Sequence, residues 1–231
     1  MIHSNLIDHI KYIKLSSGKG NLLTSSDVEV LREILRESAQ NKDISGLVIS
    51  GERHCFCTGF NVGGTGNTDL HFSNFDGFLI ELFSFPKPVV VAIDGHSIGG
   101  GLLLQCCADY VVASDSKMTK IGLPELKLGL TVDKLMISLL NYNLRRPRLL
   151  QKLLYSGDYI TIQQAKEMDI VDDIIEGSVL ETEARKACLK LCEYAPVAFG
   201  ITKLKLREHT LQQMQASLND KCYKVFNDLM K

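Results

Sequence analysis

Three consecutive glycines, Gly99, Gly100 and Gly101, lie between an all-apolar run typical of a buried strand and a second apolar run with helical spacing. Glycine lets a backbone approach a ligand closely, and the first N–H groups of a helix have no partners within the helix. Together with the helix dipole, such N–H groups can stabilise negative charge that develops on a carbonyl oxygen. The segment therefore predicts an oxyanion hole, while the same glycines also suit close packing of a helix on a sheet.

The same segment allows two other interpretations. Residues 95–99 match the GxSxG pattern, in which Ser97 would be the nucleophile of a hydrolase. That chemistry needs a histidine later in the chain, and His209, the one histidine after Ser97, lies in a helical pattern rather than on a loop. A dinucleotide site is disfavoured because the spacing is not GxGxxG and the segment does not follow the first strand.

Two acidic residues after the glycines could move protons. Glu125 lies on a loop, and a carboxylate beside a buried ligand can have a raised pKa and act as a general acid or base. Asp133 lies eight residues further on. Both also have simpler interpretations: Glu125 as a solvated loop charge, and Asp133 as an acid in the first turn of a helix capped by Thr131.

Composition excludes several classes of function. The 231 residues are 45% hydrophobic and 23% charged with a net charge of −1, which predicts a globular protein without bulk attraction for nucleic acid or anionic membranes. The seven cysteines form no paired CxxC motifs, so no metal site is predicted. The apolar residues 102–113 are too few to span a bilayer, and the N-terminus lacks a signal-peptide pattern, so we expect a cytoplasmic protein.

Apolar periodicity predicts an α/β protein whose second half is mostly helical. Strands are predicted at residues 7–15, 46–50, 89–93 and 110–113. Helices are predicted at residues 24–40, 75–83, 102–108, 133–140, 146–155, 162–168, 179–194 and 196–230. A glycine-rich loop at 59–66 and a turn at 95–101 separate these elements.

Four segments resemble the enoyl-CoA hydratase/isomerase (crotonase) superfamily. CFCTGFN at 55–61 is similar to its FxxGxD loop, and PVVVAIDGHSIGGGLLLQCCAD at 88–109 to its strand, GGG turn and helix. IGLPELKLGL at 121–130 is similar to its PE…GL loop, and residues 156–172 to its TG…A…A…GLV run. The resemblance implies a crotonase-like ββα spiral core over residues 1–194, a helical C-terminal region over 195–231, and assembly into trimers or hexamers.

The resemblance also implies roles for individual residues. The backbone N–H groups of Phe60 and Gly100 match the oxyanion hole that holds a thioester oxygen while an enolate forms. Glu125 matches one of the two catalytic glutamates of the hydratases. Other matched positions are expected to contact an acyl-CoA or acyl-carrier-protein thioester: Cys57, Gly59, Gly99, Leu103 and Lys203. Coenzyme A would enter only as part of the substrate, with no separate cofactor.

Leu103 is the main departure from the resemblance. Hydratases have their other catalytic glutamate at this position, and leucine can neither activate nor hold water. Asp133 matches the second acid of dienoyl-CoA isomerases, so the favoured prediction is an isomerase that moves an acyl-CoA double bond with Glu125 and Asp133. The alternatives are an unusual hydratase, a decarboxylase of a carrier-bound polyketide intermediate, and a non-catalytic partner subunit.

Overall fold

The computed structural model describes residues 1–52, 54–61 and 68–218, with the backbone alone for 68–72. Nine strands are present in these residues: β1 Ile2–Ile7, β2 Ile10–Leu15, β3 Gly46–Gly51, β4 Cys55–Cys57, β5 Val89–Ile93, β6 His96–Ile98, β7 Tyr110–Ser114, β8 Ile121–Gly122 and β9 Asp173–Ile175. Eight α-helices accompany them: α1 Ser25–Gln40, α2 Thr68–Phe83, α3 Gly100–Gln105, α4 Lys134–Leu144, α5 Pro147–Ser156, α6 Ile162–Glu167, α7 Leu180–Cys192 and α8 Pro196–Ser217. The predicted mixed α/β fold with a helical second half is therefore present.

The strands form two sheets. The larger has the order β1-β2-β3-β5-β7-β9, and its strands run parallel except for the antiparallel pair β1 and β2. The smaller contains the short parallel strands β4, β6 and β8. Because β5 is followed directly by β6, the chain passes from the large sheet into the small one immediately before the glycine turn.

Strand β5 shows why an all-apolar pattern predicts a strand that is buried on both faces. Val91 and Ile93 belong to the main core, which lies between the two sheets and the helices. Val90 and Ala92 point to the opposite face, where they pack against α7. Side chains alternate along a strand, so covering both faces requires an unbroken apolar run.

The first predicted strand, 7–15, is wrong in its extent. The structure has an antiparallel hairpin, with β1 paired to β2 through a turn at Asp8 and His9. Both turn residues have positive φ, 46° and 65°, as in the tight turns whose twist matches a hairpin. Such turns usually contain glycine. Because no glycine is present here, the sequence pattern did not indicate a turn.

Other boundaries also differ from the predictions. The predicted turn at 95–101 contains strand β6, and helix α2 begins at Thr68 rather than at residue 75. Helix α3 ends at Gln105, earlier than the predicted residue 108. Helix α1 agrees closely, because Thr24 and Asp27 form the reciprocal capping hydrogen bonds that mark a helix start. Residues 62–67 of the glycine-rich loop and 219–231 of the last predicted helix lie outside the described residues.

Within the described ranges, no helix is long and apolar enough to cross a membrane. No cluster of three or more histidine, cysteine or acidic side chains in those ranges has an arrangement suited to a metal ion.

Candidate active site

The glycine turn links strand β6 to helix α3 in a conformation that requires glycine. Gly99 has φ 58° and ψ −124°, outside the regions that other residues adopt easily, and its N–H donates to the Gly122 carbonyl at 2.9 Å. At Gly101 a Cβ atom would stand 2.1 Å from the carbonyl oxygen of Cys57. The turn is thus packed directly against the backbone of strand β4, and side chains at these positions would separate the two segments.

The loop after β4 runs alongside this turn. A Cβ atom on Gly59 would stand 3.5 Å from the Gly100 nitrogen, so the two backbones are in close contact. Leu23 holds the loop, since its N–H donates to the Gly59 carbonyl at 3.0 Å and its carbonyl accepts from the Asn61 N–H at 2.8 Å. These two bonds leave the intervening Phe60 N–H unused. Among the described residues, neither Phe60 nor Gly100 has an acceptor for its backbone N–H.

An aromatic pair lies beside the two unused donors. The rings of Phe60 and Phe75 stack with centroids 5.0 Å apart and an interplanar angle of 9°. A Cβ atom on Gly100 would stand 2.9 Å from Cζ of Phe75, which is 2% exposed. The Phe75 ring from α2 therefore packs on the Phe60 side chain and lies close to Gly100. Hydrogen bonds made in such an apolar setting are stronger than hydrogen bonds made in water.

Glu125 places a carboxyl group on the other side of the turn. It begins a short 3₁₀ turn, Glu125–Leu128, immediately after Pro124. Its Oε1 lies 3.0 Å from the position of a Cβ atom on Gly99, and its Oε2 is buried without a hydrogen-bond partner among the described residues. Burial raises the pKa of Glu125 from 4.5 to about 7. Near neutral pH this carboxyl group can therefore both accept and donate a proton.

A family model described as enoyl-CoA hydratase/isomerase matches residues 7–230 of this sequence. The chain belongs to the enoyl-CoA hydratase/isomerase family. The 2,3-dehydroadipyl-CoA hydratase of Escherichia coli (strain K12) is 28% identical over 201 residues, which cover 86% of this chain and 78% of that protein. The peroxisomal bifunctional enzyme of Cavia porcellus is 31% identical over 182 residues, 78% of this chain but 24% of that longer protein.

Solved structures support the assignment of the fold. A probable enoyl-CoA hydratase from Mycobacterium tuberculosis H37Rv superposes with a TM-score of 0.89 at 23% identity, over 97% of this chain and 95% of that one. A second structure of that same mycobacterial protein, there called an enoyl-CoA isomerase, superposes with a TM-score of 0.87 at 24% identity, over 94% and 96% of the two chains. The predicted crotonase fold is confirmed, and members of this family are enzymes that act on CoA thioesters.

Leu103 places an apolar side chain at the position where the family resemblance predicts a hydratase glutamate. It is fully buried in the main core, between the equally buried Leu102 and Leu104. Cys57, on the neighbouring strand, is also fully buried, and its thiol interacts with the backbone of Gly59 at 3.4–3.5 Å. Burial raises the pKa of Cys57 to about 12, so the thiol is neutral and its contacts fix the loop that carries Phe60. Contact of Leu103 or Cys57 with a substrate stays a prediction.

Asp133 is the residue that caps helix α4. Its Oδ1 accepts a hydrogen bond of 2.7 Å from the Met136 N–H, and the side chain is buried. The prediction that Thr131 caps this helix is wrong, because Thr131 lies two residues before the cap and is exposed. The cap accounts for an aspartate at this position, and a catalytic role for Asp133 stays a prediction.

Lys203 lies at a different place in the fold from the glycine turn. Its ammonium group bonds Asp109 at 2.6 Å and the Lys87 carbonyl at 3.0 Å, and the side chain is buried. Arg207 bonds the other oxygen of Asp109 at 2.9 Å. This cluster lies at the amino-terminal ends of β5 and β7, whereas the glycine turn follows β6. Burial lowers the pKa of Lys203 to about 8. These contacts describe a structural lysine, and its predicted contact with substrate has no support from them.

The Ser97 side chain is held by a hydrogen bond to helix α3. Its hydroxyl donates to Gln105 Oε1 at 2.9 Å, and Gln105 in turn donates to the Ile170 carbonyl at 2.5 Å. Ser97 is completely buried, so it is not placed as a nucleophile.

Phe75 was not among the predicted site residues, although its contacts with Phe60 and Gly100 join separate segments of the chain. A phenylalanine in a helical pattern carries no signal that separates this role from ordinary core packing.

Proposed function

We propose that this member of the enoyl-CoA hydratase/isomerase family moves the double bond of an enoyl-CoA thioester. The observation that carries the proposal is the buried carboxyl group of Glu125, placed against Gly99 with one oxygen unpartnered and a pKa near 7. At the position where hydratases carry a second glutamate, this chain has the buried Leu103. An isomerase needs one group that takes and returns a proton, whereas the hydratases hold water with two acids.

The thioester oxygen would accept hydrogen bonds from the two unused backbone N–H groups, those of Phe60 and Gly100. Glu125, ionised, would remove a proton from the carbon chain beside the double bond. The electron pair would then delocalise onto the thioester oxygen, where the two donors stabilise the enolate. The proton held by Glu125 can exchange with solvent, and delivery of a proton from Glu125 to a different carbon completes the shift, with no net change in atoms or electrons.

The apolar surroundings support this scheme in two ways. The stacked rings of Phe60 and Phe75 lie beside the donors, and a hydrogen bond to the enolate stabilises it more in such apolar surroundings than in water. They also disfavour a bound water molecule beside the substrate, because aromatic edges offer no acceptor for its hydrogens. Addition of water would therefore compete poorly with return of the proton.

Hydration or dehydration is the second candidate, and the names of the relatives favour it. The matched relatives include a 2,3-dehydroadipyl-CoA hydratase and the carnitinyl-CoA dehydratase of Proteus mirabilis (strain HI4320), the latter 26% identical over 208 residues. The same oxyanion donors and the same Glu125 would serve either reaction. The two candidates differ in whether water is added to, or lost from, the acyl chain.

A panel of 2-enoyl- and 3-enoyl-CoA thioesters of increasing length separates the candidates. Each is incubated with the protein, and the product is read by mass and by the position of its double bond. The proposal expects unchanged mass with a shifted double bond. A gain in mass equal to one water molecule, with no shifted isomer, would establish the hydratase instead.

Several further features stay predictions under this proposal. The family resemblance predicts a homotrimer or hexamer, and sedimentation of the purified protein would measure that state. The distinction between a CoA thioester and a carrier-protein thioester is tested by offering the same acyl group on both carriers and comparing kcat/KM.

A further inference from the structure

Two thiols share one face of helix α7, far along the chain from the glycine turn. Cys188 and Cys192 are four residues apart, so their side chains project from the same side of the helix. A Cβ atom on Gly46, at the start of β3, would stand 2.7 Å from Sγ of Cys188 and 3.0 Å from Sγ of Cys192. The thiols donate to the carbonyls on either side, Leu47 at 3.6 Å and Ser45 at 3.4 Å. The missing side chain of Gly46 leaves the space that the two sulfur atoms share.

The two thiols differ in their access to solvent. Cys188 is completely buried under the sheet, in the small core that α7 forms with β3, β5 and β7. Cys192 is half-buried and lines a cavity of about 430 Å³. A small solute that enters this cavity therefore meets Cys192 first, with Cys188 directly behind it.

The surroundings of Cys192 favour its ionised form over that of Cys188. The described residues that line it include Lys42 and Lys87 and no acidic side chain. The interaction with the neighbouring Cys188 thiol lowers the pKa of Cys192 below its ordinary value, and the same interaction together with burial raises the pKa of Cys188. The thiolate is the reactive form of cysteine. By contrast, burial raises the pKa of Cys106 to about 12, which leaves that thiol unreactive.

We infer that Cys188 and Cys192 form a dithiol that hydroperoxides oxidise to a disulfide, with Cys192 reacting first and Cys188 closing the bond. In the first step the Cys192 thiolate attacks one peroxide oxygen. A sulfur–oxygen bond forms, the oxygen–oxygen bond breaks, and hydroxide leaves and takes up a proton. In the second step Cys188 attacks the Cys192 sulfenic acid and releases water. The two thiols lose two electrons in total, and one hydrogen peroxide becomes two water molecules.

The helix geometry makes this disulfide easy to reduce again. The Cβ atoms of residues four apart in a helix are about 5–6 Å apart, whereas a disulfide needs about 3.5–4.5 Å. Cys192 is the last residue of α7, so the final turn can tighten without breaking the rest of the helix. A disulfide formed with such strain has a high reduction potential and reacts readily with small thiols. The oxidation is therefore reversible.

Trypsin provides a direct test, because it cleaves after Lys190, between the two cysteines. The full-length protein is treated with hydrogen peroxide, free thiols are alkylated, and the digest is analysed without reduction. The expected product joins residues 187–190 to residues 191–203 through a disulfide, and dithiothreitol separates them. Finding both peptides alkylated after peroxide treatment, or Cys192 joined to any other cysteine, would overturn the inference.

Variants identify the order of reaction. In Cys188→Ser the sulfenic acid of Cys192 cannot be resolved, and we expect dimedone to label residues 191–203. In Cys192→Ser we expect Cys188 to stay a free thiol. Cys106→Ser is the matched control, since it removes a buried thiol elsewhere, and it should leave the disulfide unchanged. Dimedone labelling of Cys188 in Cys192→Ser, or a wild-type protein that stops at the sulfenic acid, would contradict the proposed pair.

Discussion

The carboxyl group of Glu125 lies against Gly99, with Oε1 3.0 Å from the position where a Cβ atom on that glycine would stand. The contact explains why residue 99 carries no side chain, beyond its positive φ. It also joins two loops that are distant in sequence, so that the proposed proton-transfer group and the proposed oxyanion donors are fixed relative to each other. The other oxygen of this carboxyl group is buried without a partner among the described residues, which is the arrangement that raises the pKa of Glu125.

This raised pKa predicts a dependence of activity on pH. Glu125 must be ionised to remove a proton, so kcat/KM should rise as pH increases through about 7 and then level off. The measurement is a pH profile of isomerisation from pH 5 to about pH 9. A profile that is already flat between pH 5 and pH 7 would show that the Glu125 pKa is not the controlling one.

The raised pKa of Glu125 also predicts how the stability of the protein depends on pH. The folded protein holds the Glu125 proton up to about pH 7, whereas an unfolded chain releases it near 4.5. Between pH 4.5 and 7 the folded state therefore binds more protons than the unfolded state. The contribution of Glu125 to the free energy of unfolding falls as pH rises through this range. Glu125→Gln removes this titration. Denaturant unfolding should therefore show that the stability of the variant increases relative to that of wild type as pH rises from 4.5 to 7. Parallel stability curves would contradict burial of the carboxyl group.

Gly100→Ala tests the packing of the aromatic pair. The new Cβ atom would stand 2.9 Å from Cζ of Phe75, so the ring must move and disturb its stack on Phe60. Overpacking of this kind costs about 1–3 kcal/mol of stability, and we expect turnover to fall with it. Gly100→Ala combined with Phe75→Leu should regain part of both losses relative to Gly100→Ala alone. A double-mutant cycle without coupling would show that Phe75 does not restrain this turn.

Asp133 can be tested as a cap and as an acid in one comparison. Asparagine caps helices as well as aspartate does, so Asp133→Asn should keep both stability and turnover, whereas Asp133→Ala should lose about 1 kcal/mol of stability. Unfolding by urea and steady-state rates are measured for both variants. A loss of turnover of about 10²-fold or more in a stable Asp133→Asn protein would instead establish Asp133 as the second catalytic acid.

The buried cluster of Lys203, Asp109 and Arg207 predicts a loss of stability rather than of substrate binding. Asp109→Asn leaves two buried cations without their carboxylate, which should cost about 3–5 kcal/mol. Lys203→Met should cost less, because Arg207 still pairs with Asp109. Unfolding is measured alongside the KM for an acyl-CoA. If Lys203→Met kept the stability of wild type but had a strongly raised KM, that result would support the predicted contact between Lys203 and substrate.

Much of the fold follows from local patterns in the sequence. The unbroken apolar run of β5 predicts a strand covered on both faces, and Thr24 with Asp27 predicts the start of α1; both agree with the structure. The hairpin of β1 and β2 could not be predicted in the same way, because the left-handed conformations of Asp8 and His9 are imposed by pairing of the strands.

The candidate site was predictable in part for the same reason. Local motifs identify the loop of Phe60, the turn of Gly100 and the loop of Glu125, because each motif is continuous in sequence. The stack of Phe75 on Phe60 depends on how α2 packs, and no short pattern encodes it. Lys203 shows the reverse situation: its matched position suggested contact with a ligand, whereas the structure shows it buried beside Asp109, and the contact with substrate stays a prediction.

The role of Glu125 can be measured directly in a single turnover. Exchange of the α- and γ-protons of an enoyl-CoA is followed in deuterated buffer for wild type, for Glu125→Gln, and for Glu33→Gln, an exposed glutamate on α1 that serves as the matched control. The proposed mechanism predicts that Glu125→Gln slows exchange at both carbons by about 10²–10⁴-fold while Glu33→Gln behaves as wild type. Exchange in folded Glu125→Gln at the wild-type rate would contradict proton transfer by this residue.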